Sequence, residues 1–251
     1  MADAGLSLDI DPHVHSEDSY DGRDPAELIL EHAEDTELDG VVITDHDAIE
    51  ESKRAASMAP DYGLVGIPGV EVSTAAGHLL GLGVEERPTP GQSLIDTVDE
   101  IRDLGGIAIV PHPFQRSRHG IRKRRIVGCD GIEVYNSMLF TGYRNRRANS
   151  FAERWQMPKL GGSDAHSIRY VGRAYTRIHL DHLDPDTDPA DVTGSTVIEA
   201  IRAGETDLGG RRTPVPRSAR QYGRGVLRKS AYLLTSRLPF VEPRPASMQR
   251  F

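Results

Sequence analysis

The chain has one cysteine, Cys129, among 251 residues. That excludes an intramolecular disulfide framework and any zinc-finger or iron–sulfur site built from thiolates. No apolar run approaches the roughly eighteen residues of a membrane span, so no integral membrane association is expected. The opening MADAGLSLDI lacks the basic start and apolar core of a signal peptide, and the expected compartment is the cytoplasm. Aromatics amount to 6% with a single tryptophan, poor support for a base-stacking platform. Lysine is scarce: Lys53, Lys123, Lys159 and Lys229 are the only ones among 30 basic residues. There is no GxSxG, P-loop or GxGxxG, and Gly81-x-Gly83 alone is too weak to use, which leaves serine-hydrolase and P-loop chemistry without a motif.

What is present is acidic and α/β-patterned. The net charge of −8 argues against nucleic-acid binding over the whole surface, although local basic patches can still bind anions. Nearly continuous apolar segments at Leu6–Ile10, Gly40–Thr44, Leu64–Val72, Ile107–Val110, Gly131–Tyr135 and Tyr175–Leu180 read as buried parallel strands. Helices are expected between them: one opened by Asp24 as N-cap with Pro25 and Glu27 and running to about Leu38, then Ser93–Leu104, Tyr143–Gln156, and Thr196–Ala203 closed by Gly204. Alternating strands and helices predict an α/β domain with a parallel sheet or barrel. From Arg211 onward ten basic residues face one acid, Glu242. The division is therefore residues 1–210 as one domain and 211–251 as a basic C-terminal extension, partly helical. Residues 222–237 read as an amphipathic helix packed on the domain, the alternatives being a membrane-surface or partner helix or a disordered tail.

The histidines and carboxylates carry the chemistry. Six of the ten histidines fall in polar motifs at the ends of expected strands, and parallel α/β folds gather active sites at the C-terminal ends of their strands. In DPHVHS, His13 and His15 are two apart and point the same way in an extended chain, so both can reach one ion. Asp21 follows in the SYDG turn. ITDHD supplies His46. GVEVS places Glu71 as a lone acid in an apolar run, costly to bury unless paired or metal-bound. His78 follows in GHLLGLG, His112 lies between prolines in VPHPF, and GGSDAHS offers Asp164 and His166, again two apart. Singly, each such histidine is more simply a hydrogen-bonded structural residue; the set together is not. Nine nitrogen and oxygen ligands without thiolate suit two or three divalent ions, Mn²⁺, Zn²⁺ or Fe²⁺ rather than Ca²⁺ or Mg²⁺ alone. The segment QRSRHGIRKRR, residues 115–125, follows the His112 loop. Arg116, Arg118 and His119 are candidates to clamp a substrate phosphate, while Arg122 to Arg125 read equally as a solvated helix face.

Taken in order, DPHVHS, ITDHD, GVEVS, HLLGLG, PHP and GSDAH resemble the polymerase-and-histidinol-phosphatase (PHP) superfamily of metal-dependent phosphoesterases, over roughly residues 8–206. The resemblance implies a distorted (β/α)7-type barrel with a trinuclear site in its mouth. By position, one ion would take His13, His15, Glu71 and Asp164; a second would share Glu71 and take His78 and His112; a third would take Asp21, His46 and His166. Asp18 remains a rival to Asp21. Glu71, Asp164 and His166 would stand closest to the reacting centre, where a hydroxide bridging two ions attacks phosphorus. Asp11 and Asp45 would orient histidine ligands, and Tyr135 and Asn136 would line the substrate pocket. The expected partner is a small phosphorylated metabolite or nucleotide. Two alternatives stand beside it: a nuclease that trims oligonucleotides with the same ions, nucleic acid entering only as substrate, and a non-catalytic module of the same fold. The sequence does not fix the oligomeric state.

Overall fold

The computed structural model describes residues 5–115, 119–138 and 142–211; the helix expected at 222–237 and nearly all of the basic extension lie outside the described residues. In chain order the elements are β1 (Leu6–Val14), α1 (Ala26–Asp35), β2 (Gly40–Ile43), α2 (Glu50–Met58), β3 (Gly69–Thr74), β4 (Gly77–Leu82), α3 (Leu94–Asp103), β5 (Ile107–Val110), β6 (Gly131–Asn136), α4 (Gly142–Trp155), β7 (Lys159–Gly162), β8 (Ala174–Leu180), α5 (Gly194–Ala203) and β9 (Thr206–Gly210). They build an α/β fold of two sheets, ordered β2-β1-β8-β9 and β3-β4-β5-β6-β7. No helix among the described residues is long and apolar enough to cross a membrane.

The expected all-parallel pairing is corrected. β1–β2, β5–β6 and β6–β7 are parallel, but β1–β8, β3–β4, β4–β5 and β8–β9 are antiparallel. An apolar run reports burial on both faces, and burial carries no strand direction. In β5, Ile107 and Ile109 enter the core between the sheets, while Ala108 and Val110 pack outward on α3 and α4. The inner core joins Leu8, Ile10, Leu80, Leu82, Leu160 and Ile178, with Val197, Ile198 and Ile201 of α5 packed against them. On the other side α1 and α2 cover β1 and β2 through Ile29, Leu30, Val41, Ile43 and Ala55.

The two sheets meet along both edges without a continuous ladder. At one seam, isolated parallel bridges join Gly40 to Val65 and His46 to Glu71. There the buried Ser52 hydroxyl donates to Ile43 O at 2.6 Å and accepts from Gly69 N at 2.7 Å. At the other seam, Val14 bridges Ala165, and Thr176 Oγ1 both accepts from Gly161 N and donates to Gly161 O at 2.9 Å. As a result β1, β2, β3, β5, β6 and β7 all run in one sense, and their C-terminal ends share one rim.

The helix ends follow local chemistry. Ser93 and Thr193 cap α3 and α5 by accepting from Asp96 N and Thr196 N, and Gly204 closes α5 at φ +79°. The expected Asp24 cap is corrected: Pro25 is the N-cap of α1, and the Asp24 carboxylate accepts from Ile168 N at 2.8 Å instead. The expected Leu64–Val72 strand begins only at Gly69, because Pro68 has no amide to give a ladder.

The seam chemistry yields a prediction. Ser52→Ala leaves one buried carbonyl and one buried amide without partners, so urea unfolding should show a loss of about 1–3 kcal/mol. A change within a few tenths of a kcal/mol would mean the hydroxyl does not hold β2 to β3.

Candidate metal centre

Two irregularities in the strands turn the polar residues inward. Leu6, Leu8 and Ile10 of β1 face the inner core, so strict alternation would aim residues 13 and 15 outward. The β1–β2 register shifts between Asp11 and Val14. Beyond that bulge Val14 packs outward under α1, and His13 and His15 point in. In β6 the register shifts between Glu133 and Tyr135, which brings both Glu133 and Asn136 to the inside. Bulges commonly re-aim side chains beside functional sites. Glu71 of β3, His78 at the start of the reversed strand β4, and His112, Asp164 and His166 just past β5 and β7 complete the rim.

The structure brings all nine sequence-identified residues into adjoining clusters. His13 Nε2 and His15 Nε2 lie 3.2 Å apart, each 3.3 Å from Glu71 Oε2 and 3.9 and 3.8 Å from Asp164 Oδ1. A tetrahedral ion with bonds of about 2.0–2.2 Å sets its ligands roughly 3.3–3.6 Å apart; the His13, His15 and Glu71 atoms lie close to that edge, and Asp164 Oδ1 stands farther off. The other Glu71 oxygen, Oε1, lies 2.8 Å from His78 Nδ1 and 3.0 Å from His112 Nε2. A third group joins Asp21 Oδ2 to His166 Nε2 at 2.9 Å and to His46 Nε2 at 3.8 Å, with His15 beside them. His46 faces both ways, its Nδ1 being 3.4 Å from Glu71 Oε2. Asp18 is not among the clustered groups.

The donor chemistry fits cations. The His13 Nδ1–H points at Glu133 Oε1, 3.1 Å away, so a neutral His13 presents a bare lone pair at Nε2 to the Glu71 carboxylate. Two acceptors at that distance need a proton or a metal ion between them. Burial opposes the His13 imidazolium, but the carboxylates of Asp164, Glu133 and Glu71 outweigh it and raise the pKa well above its usual value. Burial also works against the Glu71 carboxylate, yet the imidazoles of His46, His78, His112 and His13 hold its pKa well below the usual range. Burial and the neighbouring His166 push His15 down to about 3, which leaves it a neutral donor. Nδ1 of His15 and of His112 is buried without a hydrogen-bond partner.

Glu133, missed from the sequence, and Asn136, expected there only to line a pocket, hold this constellation. Glu133 Oε2 accepts from His112 N at 2.7 Å and from Asn136 Nδ2 at 2.8 Å, and Asn136 Nδ2 also donates to Asp164 Oδ2 at 3.1 Å. Asn136 thus braces ligand candidates in place of lining a substrate pocket. A Cβ at Gly162 would lie 2.6 Å from Glu133 Oε1 and 2.9 Å from His13 Cβ, so only glycine lets β7 pass that close. Tyr20 stacks on His46 with centroids 4.8 Å apart. Of the two acids expected to orient histidine ligands, neither is bonded to a ligand imidazole, although Asp11 Oδ1 accepts from the His13 amide at 3.4 Å. Asp11 accepts from Ser163 N and Gly172 N at 2.9 Å, and Asp45 accepts from Ser16 N and the Ser16 hydroxyl. Burial raises them to about 6 and about 7. His119 stacks on His78, centroids 5.0 Å apart, at the wall of a pocket of about 270 Å³ also lined by Arg122. Arg116 and Arg118 lie outside the described residues.

Comparison with known proteins agrees with this geometry. A family model described as PHP-associated matches residues 142–206. A two-domain protein from Bacteroides vulgatus, containing a predicted PHP-like metal-dependent phosphoesterase, shares the fold with a TM-score of 0.66 at 19% identity, over 84% of this chain and 66% of that one. The chain therefore has the fold of that PHP-like protein and carries a PHP-associated segment. Two uncharacterized Methanocaldococcus jannaschii proteins are also similar. MJ0417 is 29% identical over 130 residues, 49% of this chain, and MJ1587 is 28% identical over 149 residues, 55% of it. The match spans 55% of MJ0417 and 87% of MJ1587, so about half of the former has no counterpart here.

The contact of Glu133 with His13 Nδ1 yields a prediction. Replacing the glutamate by glutamine removes the charge that orients the ring, and Mn²⁺ affinity by isothermal titration should fall about 10–100-fold. Unchanged affinity would reduce Glu133 to a structural hydrogen-bond acceptor.

Proposed function

We propose that this chain hydrolyses a phosphate ester of a small phosphorylated metabolite or nucleotide, with two or three divalent ions held by the nine rim residues. One observation carries the reading: the two oxygens of the buried Glu71 carboxylate lie within 3.4 Å of nitrogens from five histidines. A carboxylate so placed would help hold more than one divalent ion, and such ions would supply the charge neutralisation that phosphate ester hydrolysis needs. Described for the Bacteroides protein, a PHP-like metal-dependent phosphoesterase is the same chemistry. We read the two seamed sheets as the walls of a distorted barrel with the site in its mouth.

When bound, the ions would lower the pKa of water and neutralise the charge on the phosphate. The chain's own residues do the rest. His13 and His15 offer a rigid pair of nitrogens from one strand end. Glu133 keeps His13 in the tautomer with Nε2 free. Asn136 holds Asp164 through its second oxygen. The burial of His13, His15, Glu71, His112 and Asp164 keeps bulk water off the cage, while the more accessible His46, His78 and Asp21 mark the open side. The pocket between His78, His119 and Arg122 receives the part of the substrate beyond the phosphate. The ligand set, all nitrogen and oxygen, suits Mn²⁺, Zn²⁺ or Fe²⁺.

Release of phosphate from an aryl phosphate and from a panel of phosphorylated metabolites tests the reading. Chelation should abolish turnover, readdition of Mn²⁺, Zn²⁺ or Fe²⁺ should restore it, and Glu71→Gln should lower kcat/KM by at least about 100-fold. Undiminished turnover after chelation would overturn it. Independently of turnover, Mn²⁺ at about 100 times its Kd should stabilise the fold by about 2.7 kcal/mol. That is a rise of roughly 5–10 °C in Tm for a chain of this size, and Glu71→Gln should diminish it.

A further inference from the structure

Two surfaces of opposite charge are left without partners. Lys123, Arg146, Arg147 and Arg154 line a groove of about 350 Å³ between α4 and the 119–125 segment, together with Phe114, Tyr143 and Phe151. The rings hold the cations in place. Arg147 lies over Phe114 at 5.2 Å and over Tyr143 at 5.6 Å, and Lys123 lies over Phe151 at 5.8 Å. Among the described residues no carboxylate pairs with these four cations; Glu153, the acid on the same helix, is taken by Lys159 and Asn149. The second surface is the loop between β8 and α5. Asp181, Asp184, Asp186, Asp188 and Asp191 are all exposed there, while the ion pairs of the described lysines and arginines go to other acids. The loop is tied down. Asp184 Oδ1 accepts from Asp186 N and Asp188 Oδ1 from Ala190 N, each at 2.9 Å. Leu183 packs on the inner core, and its carbonyl accepts from Leu6 N. The loop thus stands beside the start of β1, at the pole away from the metal rim. The groove lies outside the other sheet, past the ends of β5 and β6. A loop anchored at Leu6 does not reach that groove on its own chain.

We infer that the groove receives the acidic 181–191 loop of a second copy of this chain, so that copies join head to tail. Charge and length both match. Arg147 and Arg154 are seven residues apart, about 10 Å along the helix; Asp186 and Asp191 are five apart and span at most about 17 Å. One loop therefore brings carboxylates to both ends of the groove, which a single small anion cannot do. Arginines whose planes are fixed by ring faces keep their edges free for carboxylates. Copies of net charge −8 repel one another at long range, and these two patches are where contact reverses that repulsion. Because the two partners are different surfaces, the contact is heterologous and builds rings or open chains of copies. Exposed ion pairs are weak and screened by salt, so the association belongs to low ionic strength. The inference does not depend on the hydrolytic reading.

Sedimentation velocity of the full chain over a concentration series tests it. At about 0.01 M salt the mass should rise with concentration past the dimer, and at about 1 M it should stay that of the monomer. Arg146→Glu combined with Arg147→Glu reverses the groove. Asp186→Arg combined with Asp191→Arg reverses the loop at two carboxylates outside its own printed hydrogen bonds. Each reversed chain alone should associate at least about ten-fold more weakly. Mixed in equal amounts, the two should form a one-to-one pair and nothing larger, since only one matched contact remains. A chain carrying all four changes should self-associate again, which a misfolded variant would not do. A parent chain that stays monomeric at low salt, or a four-fold variant that fails to recover association, would overturn the inference. So would association that survives groove reversal but not loop reversal, because the loop would then be held by the basic residues from Arg211 onward.

Discussion

The structure depends on one buried anion. Glu71 sits 1% exposed in the middle of a strand whose neighbours, Val70 and Val72, are wholly enclosed. A carboxylate in such surroundings costs several kcal/mol unless opposite charge or hydrogen-bond donors surround it. Five imidazoles do so here, and they come from β1, the end of β2, β4 and the end of β5. No single hairpin or helix can deliver that set. The two sheets have to be held edge to edge before the nitrogens meet, which gives the Ser52 and Thr176 hydroxyls at the seams a purpose beyond local bonding. A well-packed apolar residue in place of Glu71 would serve stability at least as well, so its presence marks function.

The groups around the cage fix its shape. His112 and Asp164 have positive φ, +28° and +54°, conformations that cost of order 1–3 kcal/mol outside glycine and persist only where the surroundings overdetermine them. Both are pinned through one strand. Glu133 takes the His112 amide, and Asn136, three residues on, holds the Asp164 carboxylate. The β6 bulge that places Glu133 and Asn136 on the same side therefore secures the backbone of one candidate ligand and the side chain of another. Asp11 and Asp45 work differently, clamping the Ser163 and Ser16 loops through backbone amides.

The candidate ligands were legible because each combines a rare residue type with a strand end: two pairs spaced by two, and an acid alone in an apolar run. The same pattern in GIEVYN marks Glu133, so the signal for the missed carboxylate was present. The bulges were not legible. Alternation from Leu6 to Ile10 would have sent His13 and His15 outward, and the register shift that turns them in depends on β2 and on the loop after β7. Strand direction was hidden too, since Ile107 to Val110 would read the same in either sense. β4, β7 and β9 were missed because GHLLGLG, KLGG and TDLGG are glycine-rich and score poorly as strands. α2 was missed because EESKRAASM buries only Ser52 and Ala55, too little for an apolar stripe.

Helix α4 is tied to the candidate site through its inner face. Its buried positions, Asn145, Ala148, Phe151 and Ala152, repeat at helical spacing and lock it onto β6. Asn145 is the polar member of that row: its amide donates to Asn136 O at 3.2 Å, and its carbonyl oxygen accepts from Asn136 N. Asn136 in turn holds Glu133 and Asp164. Positions 143, 146, 147, 150 and 154 are then forced to the opposite side, where Tyr143 and the arginines stand. A helix bound only for packing would need apolar residues along the inner row; here that row also carries Asn145, which sets Asn136 and through it the acids Glu133 and Asp164.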